Sequence, residues 1–466
     1  MSTKMSTLST FASWSTKYKT WADLKAWLQA SEPTVEILEF ETPYVILKTG
    51  KDASVATATG AATTTEAAIA EDSVSEAAQL CRSLVWDTRT NRPCCVAPFA
   101  ARRDQKIPVG SSGSDASQAL RLEDFVEGVM INVFRVKGDS ETHVTTRSRL
   151  DADGSFYSER SFRELFEEAM ESKKVCLDDI EAVMGDPAKL GVAGTFMSLV
   201  LAHPEHRVVR SVEHANFWAI YRGVVKTDGT VDFYTEDLPV SWRPKTYSLT
   251  FKPNDWAELK AKFEEIKASK PWYWQGIAVH TGLQRWRFRN ADHDRVRREL
   301  RGTESNPFGR FLRLRANKKV QEYLRVYSED SEAFQGYEET YRSTTRTLYS
   351  WYCRCHKEHL LAFKELPKSV QPMVFGLHKH YLEALRPNRK TLRIAETIDW
   401  VCENLKSQYG VPNFIRLSKE TEQPPASANP GAPAAEQAQT EPEFRDECHA
   451  DELEAGHEQA GQECTD

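Results

Sequence analysis

The sequence predicts an α+β fold built on antiparallel strands and followed by an all-helical region toward the C-terminus. Between residues 128 and 280, segments of alternating apolar and polar residues are joined in pairs by turn sequences. After about residue 295 the apolar residues recur at helical spacing instead. Hydrophobic residues make up 40% of the 466 positions, which is enough for a core and excludes disorder along the whole chain.

The N-terminal segment, residues 1–79, is predicted to hold one helix and two strands. Apolar residues at helical spacing mark the helix at 21–28, and residues 35–49 read as two strands around a Thr-Pro turn. Residues 51–78 are mostly Ala, Thr and Ser and can bury little surface, so we predict a mobile insertion there. A strand at 83–87 and a polar loop at 104–118 follow.

Residues 80–294 are predicted to form the α+β body. The alternating residues 128–136, the turn Lys137-Gly138-Asp139 and residues 142–147 form one hairpin, and 217–225 with 230–234 form another. Ser161 and Glu164 have the spacing of a capping box in front of a helical apolar face. A helix over 256–266 precedes a strand at 276–280.

Residues 295–418 are predicted to form a basic helical domain, and residues 419–466 a disordered acidic tail. A long helix is expected over 334–355, and Pro424 is the first of four prolines in the tail. Residues 281–420 carry 27 Lys and Arg against 17 Asp and Glu, whereas residues 421–466 carry 1 against 12. The basic part predicts RNA or another polyanion as partner, with a solvated helical surface as the alternative. The acidic tail is expected to have a partner of its own or to compete with nucleic acid for the basic part.

Several classes of protein are excluded or disfavoured. No apolar run approaches the roughly 18 residues of a membrane-spanning helix, and residues 1–14 lack the apolar stretch of a signal peptide. The nine cysteines are scattered, which favours reduced thiols and a cytoplasmic or nuclear location over secretion. Cys353, Cys355, His356 and His359 are the most metal-like group, but their spacing in a helical stretch favours buried thiols over zinc.

Ten arginines fall within 31 residues, from Arg285 to Arg315, with aromatic residues between them. Arginine forms bidentate phosphate contacts and stacks on bases, so this pattern predicts a single-strand RNA surface. Structural arginines held in salt bridges are the alternative. The candidate RNA-binding residues are Arg295, Arg297, Arg298, Arg301, Arg310, Arg313 and Arg315.

Six segments, in order, carry a resemblance to a known family. They are residues 81–99 (CRSLVWD to VAPF), 125–134 (FVEGVMINVF), 145–156 (TTRSR to DGSF), 196–209 (ending HPEHRVV), 275–279 (QGIAV) and 287–290 (RFRN). Together they resemble the motifs of phage-type ATP-dependent RNA ligases, and most closely the ligase-like proteins of large DNA viruses. The resemblance covers about residues 80–405. It implies a nucleotidyltransferase fold for 80–294, with ATP and Mg as cofactors and RNA as partner.

The chain departs from the family at the positions that carry its chemistry. Phe125 stands where the ligases have the lysine that attacks the α-phosphate of ATP, and phenylalanine has no lone pair with which to carry AMP. Val200 and Gln275 stand where the family has two metal-facing glutamates, so the resemblance argues against metal binding here. Arg287 and Arg289 stand where two basic residues neutralise the triphosphate, and the alternation around Phe288 predicts that they share one face of a strand.

Other site residues follow from the same motifs. Glu127 and Gly128 complete the motif that contains Phe125, and Lys106 is the nearest upstream lysine but lies outside it. The nucleotide-binding candidates implied by the resemblance are Arg82, Arg147, Arg149, Gln275, Arg287 and Arg289.

The resemblance therefore implies an adenylation-deficient, RNA-ligase-like protein that still binds RNA or nucleotide phosphates. Two alternatives stay open. The first is an active ATP-dependent RNA ligase that joins 5′-phosphate to 3′-hydroxyl ends in RNA repair, with an unrecognised nucleophile or a shifted motif register. The second is a structural scaffold without a nucleic-acid role, whose arginines pair internally.

Overall fold

The computed structural model describes residues 4–49, 75–99, 101–103, 120–248 and 256–421. The chain begins with β1 (Lys4–Leu8), α1 (Thr10–Lys17), α2 (Trp21–Ser31), β2 (Val35–Glu39) and β3 (Tyr44–Thr49). The predicted helix and both predicted strands are present. Most of the predicted insertion lies outside the described residues. Its last residues, however, enter α3 (Glu76–Leu80), where Ala77 and Ala78 are buried, so alanine content was misread there as a sign of mobility.

The body of the molecule contains twelve further strands and four further helices within the described residues. They are β4 (Leu84–Asp87), β5 (Arg92–Val96), β6 (Arg102–Arg103), β7 (Arg121–Asp124), β8 (Val129–Val136), β9 (His143–Thr145), α4 (Phe162–Ser172), α5 (Leu177–Met184), α6 (Pro187–Leu190), β10 (Gly194–Ala202), β11 (Asn216–Val225), β12 (Val231–Tyr234), β13 (Thr246–Tyr247), α7 (Trp256–Lys267), β14 (Gly276–Thr281) and β15 (Gln284–Arg289). Both predicted hairpins form, and the predicted capping box at Ser161 caps α4.

These strands form three sheets. Their orders are β1-β12-β11-β10-β8-β9, β13-β7-β14-β15-β6 and β2-β3-β4-β5, and every pairing is antiparallel except that of β15 with β6. One face of the six-stranded sheet packs on the four-stranded sheet, where Phe134 and Phe196 share a core with Trp86. The opposite face is covered by α4 and α5. The five-stranded sheet is covered by α7.

The C-terminal region is helical, as predicted. It contains α8 (Ala291–Arg295), which continues as a π-helix at Val296–Arg301, and then α9 (Pro307–Ala316), α10 (Val320–Val326), α11 (Ser331–Tyr352), α12 (Gln371–His380), α13 (Ile394–Asn404) and α14 (Gly410–Thr421). Helix α14 extends over the first three residues, 419–421, of the predicted tail. Residues 422–466, with the predicted disorder there, lie outside the described part of the chain.

The loop after β10 joins the body to the helical region. Val209 is fully buried in the helical core, and the Tyr327 hydroxyl donates a hydrogen bond of 2.6 Å to the Val208 carbonyl. The predicted α+β class, with antiparallel sheets and a helical C-terminal region, is therefore confirmed. In the described ranges no helix is long and apolar enough to cross a membrane.

Candidate functional site

Strand β15 presents its arginines on one face. Trp286 and Phe288 point into the core under α7, where the Phe288 and Phe263 ring centroids are 5.4 Å apart. Because side chains alternate along a strand, Arg285, Arg287 and Arg289 lie on the opposite face. This is the arrangement that the sequence alternation predicts for Arg287 and Arg289. Arg285 follows the same alternation along β15, so the sequence pattern was sufficient to place it on this face together with Arg287 and Arg289.

Arg82, just before β4, faces the arginines of β15. Its Nη1 donates to the Phe99 carbonyl oxygen at 3.3 Å. Burial, and then the positive charges of Arg285 and Arg147, lower the pKa of Arg82 to about 10. Burial also lowers the pKa of Arg285, although nearby Glu123 opposes that change.

We call Arg82, Arg147, Arg285, Arg287 and Arg289 the basic site. Arginine stays protonated at neutral pH, so the lowered pKa of Arg82 means that its charge is destabilised where it lies. Arg147, after β9, is exposed at the edge of the site, and its Nη2 donates to the Thr49 carbonyl oxygen at 3.0 Å. A bound phosphate would supply negative charge that offsets the desolvated positive charge of Arg82.

Phe125 lies beside the basic site. Its N–H donates to the Gly276 carbonyl oxygen at 2.9 Å, which ties the residue after β7 to the start of β14. The Arg289 guanidinium lies over the Phe125 ring, 5.7 Å from its centroid. The position to which the resemblance gives the nucleophile therefore adjoins the arginines, and an aromatic ring fills it.

The residues at the two metal-facing positions do not fit a metal ion. Val200 is only 8% exposed and pairs with Met130 across β10 and β8. The Gln275 Oε1 atom is buried and has no hydrogen-bond partner, but it is a neutral oxygen. Across the described ranges, no group of three or more His, Cys, Asp or Glu side chains could hold a metal. Neither Val200 nor Gln275 offers the negatively charged oxygen that a magnesium ion prefers.

Glu127 joins three segments of the chain. Its Oε1 accepts the N–H groups of Val209 at 2.9 Å and Arg210 at 3.0 Å, and its Oε2 bonds Nε2 of the fully buried His293 on α8. This carboxylate is thus engaged in linking the body to the helical region.

Gly128, next in the chain, has a φ of +157°, and a Cβ there would lie 2.0 Å from the Leu201 carbonyl oxygen, so the position requires glycine.

Arg149 follows Arg147 by two residues in the loop after β9. It is exposed and lines an open cleft of about 590 Å³ together with Ser148, Gly154, Phe156 and His206. This cleft borders the segment after β9 that resembles the family's third motif. Lys106 lies outside the described residues.

The arginines predicted to bind RNA have partners within the protein. Arg301 and Arg310 are 6% and 3% exposed, and both donate to the Tyr323 hydroxyl. The others pair with acidic side chains, and Arg315 also lies 3.7 Å over the Tyr341 ring. These pairs are Arg295 with Glu322, Arg297 and Arg298 with Asp294, Arg313 with Glu304 and Arg315 with Glu338. This geometry favours the salt-bridge alternative, most clearly for the buried Arg301 and Arg310.

The metal-like group in the helical region is a packing feature. Cys355 is buried, as predicted for a structural thiol, whereas Cys353 is partly exposed. The His356 ring stacks on the His378 ring of α12 with centroids 3.8 Å apart.

His206 is expected to make the protein less stable in acid. Its ring lies against those of Phe156, Tyr157 and Phe162, and burial lowers its pKa to about 4. As the pH falls from about 6.5 toward 4, the unfolded chain takes up a proton that the folded protein does not, so stability is lost across that window. Thermal melts should therefore show a smaller loss between pH 7 and 4.5 for His206→Phe than for wild type. His214→Phe, at an exposed histidine, is the control and should lose as much stability as wild type. An equal loss in His206→Phe and His214→Phe would contradict the assignment to His206.

The likeness of this chain to solved structures is distant. A solved archaeal ATP-dependent RNA ligase, form 1, aligns over 70% of this chain and 74% of its own length, at a TM-score of 0.34 and 12% sequence identity. No family model and no curated protein matches the sequence.

Proposed function

We propose that this chain is an RNA-ligase-like protein of the nucleotidyltransferase fold that binds a nucleotide or an RNA 5′-phosphate without forming a covalent adenylate. The observation that carries the proposal is the basic site. It concentrates arginines on one strand face, opposite an Arg82 whose charge is destabilised by burial and by its neighbours. Such a site gains free energy when a phosphate enters, at roughly 1.5–3 kcal/mol for each charge-assisted contact.

The absence of adenylate transfer is proposed from three side chains. Phe125 offers no nucleophilic atom beside Arg289, and Val200 and Gln275 offer no negative charge for a metal. Phosphoryl chemistry of the ligase kind needs the nucleophile and the charged metal ligands together with the phosphate-binding groups. Binding in the basic site should accordingly be largely independent of magnesium.

RNA contact is proposed mainly for the basic site and its edge. Arg147 and Arg149 are exposed and lie on either side of Ser148, so they can reach a phosphate backbone that enters there. The arginines of α9 pair with acidic side chains of the helical region itself, which favours a structural role for them. This observation favours a second candidate function, a scaffold that does not bind nucleic acid. Gel-shift titration with single-stranded RNA separates the two, because the scaffold predicts no shift at low salt.

The absence of a covalent adduct is tested with ATP labelled on its α-phosphate. We expect no labelled protein band after incubation with magnesium, and none for Phe125→Lys, because that variant still lacks both charged metal ligands. An active RNA ligase treated in parallel confirms that the assay works. A heat-stable, acid-labile band in the wild-type protein would overturn the proposal, and Lys106→Ala would then test the nearest upstream lysine.

A further inference from the structure

An exposed apolar patch lies on the helical region, far in sequence from the basic site. It consists of Leu360, Phe363, Phe375 and Leu382, which are 67%, 36%, 61% and 41% exposed. The Phe363 and Phe375 ring centroids are 6.4 Å apart, and Leu382 lies two helical turns after Phe375. Exposed apolar side chains grouped in this way mark a surface that another segment covers.

The surroundings of the patch are basic. Residues 357–393 carry eight Lys and Arg against three Asp and Glu. Lys364, Lys368 and Lys379 are exposed; Lys364 follows Phe363 in the chain, and Lys379 lies one helical turn after Phe375. Lys379 approaches Glu383 only at 3.9 Å, so its charge remains available to a partner with more negative charge. The occupant that fits this surface is acidic and carries a few large apolar side chains.

The end of α14 lies next to this surface. The Ser369 hydroxyl, in the loop before α12, donates a hydrogen bond of 2.7 Å to Glu420 Oε1 in the last turn of α14. Ser369 precedes Phe375 by six residues, which span at most about 22 Å when fully extended. Residue 422, where the acidic segment starts, therefore follows directly from a point beside the patch.

The sequence of residues 422–466 matches the surface. The segment carries 12 Asp and Glu against one Arg, and Phe444 and Leu453 stand among its acidic residues. Phe444 is 23 residues beyond Thr421. A random-coil chain of that length has a typical span of about 26 Å, enough to bridge the stretch from Ser369 to Phe375.

We propose that the apolar patch is the docking site of the chain's own acidic segment, residues 422–466. Phe444 or Leu453 covers Phe363 and Phe375, and the flanking carboxylates face Lys364, Lys368 and Lys379. Docking holds about eleven negative charges against the helical region. The proposal does not depend on the function of the basic site.

Zero-length carbodiimide cross-linking of the full-length protein, followed by mass spectrometry, tests the proposal. We expect cross-links from carboxylates of 422–466 to Lys364, Lys368 or Lys379, at least five times more abundant than those to the exposed Lys260 on α7. Mixing ¹⁴N- and ¹⁵N-labelled protein before the reaction should give linked peptides of a single isotope. Mixed-isotope links would show that a second copy occupies the patch, and an absence of preferred links would show that the tail lies elsewhere. Either result overturns the proposal.

Two variants separate docking from charge attraction alone. Phe375→Asp and the double variant Phe444→Ser with Leu453→Ser should each reduce the preferred cross-links at least five-fold while the lysines remain available. Leu190→Asp, an equally exposed leucine on the body, is the matched control and should leave them unchanged. Equal cross-linking in all four proteins would reject apolar docking, and thermal melts confirm that each variant is folded.

Discussion

Arg82→Met is expected to raise the thermal stability of the free protein and to remove most of its affinity for phosphate. The pKa of Arg82 falls to about 10 because its guanidinium is buried and faces other positive charges. Methionine keeps the unbranched stem of the side chain and removes the destabilised charge, at the cost of one 3.3 Å hydrogen bond to the Phe99 carbonyl oxygen. With discount for solvent screening, we expect a gain of about 1 kcal/mol, or about 2 °C in melting temperature.

The same variant should bind phosphate about 10 to 150 times more weakly, which corresponds to the loss of one charge-assisted contact of roughly 1.5–3 kcal/mol. Thermal melts of the free protein give its melting temperature. Melts with increasing inorganic phosphate, pyrophosphate or AMP, together with titration calorimetry, give the affinity for phosphate from the same preparation. Arg416→Met, an exposed arginine on α14, is the control and should alter neither. A melting temperature several degrees lower with unchanged phosphate affinity would identify Arg82 as a structural partner and reject the binding site.

The double variant Arg287→Ala and Arg289→Ala should also abolish phosphate binding, but its stability is harder to interpret. Arg289 Nη1 lies 2.6 Å from Asp294 Oδ1, so its removal leaves a carboxylate with less compensation at the start of the helical region. We therefore expect this variant to remain folded with a lower melting temperature. Arg82 is the sharper test, because its two effects have opposite signs.

Glu127→Ala is expected to lower the free energy of unfolding by about 3 kcal/mol. The carboxylate accepts two backbone N–H groups and bonds the fully buried His293, and truncation leaves all three without their partner. Removing one side of such a partly buried, charged contact costs roughly 3–5 kcal/mol. Glu127→Gln retains an oxygen for the two amides, so we expect a smaller loss of about 1 kcal/mol. Urea unfolding followed by circular dichroism measures both.

The family resemblance makes Glu127 a residue of the nucleotide site, and the two roles predict different results. Loss of stability with little change in phosphate affinity would support the linking role. Unchanged stability in Glu127→Ala with loss of nucleotide binding would contradict it. Glu159→Ala, in the exposed loop before α4, is the control and should change the unfolding free energy by less than about 0.5 kcal/mol.

Local patterns in the sequence predicted the body of the fold well. The hairpin of β8 and β9, the capping box of α4 and the alternation of β15 each depend on residues close together in the chain. Strand β1 was missed because its five residues have no clear alternation. Its place is set by β12, with Thr7 bonded to Asp232 at 2.7 Å. Pairing over such a separation leaves no local trace.

The pairing of the arginines stayed only an alternative in the sequence for a related reason. Composition predicts a basic surface, but it does not reveal that Arg310 packs against Tyr323 or that Arg315 meets Glu338 on the next long helix. Such pairs form only when helices pack against each other. They place arginines that composition assigns to a basic surface inside the contacts between helices. Arg82 was assigned through the family motif, whereas its contact with the charge of Arg285 became visible only in the folded chain.

The pairing of β1 with β12 also limits how the chain folds as it leaves the ribosome. The four-stranded sheet ends at Val96, so it is available early in synthesis. The edge of the six-stranded sheet, in contrast, cannot close until Tyr234 has been made, 230 residues after Lys4. At roughly 5–20 residues per second this takes about 10–50 s. During that interval the first strand has no partner, and an N-terminal fusion that restrains it would delay completion of the sheet until the restraint is released.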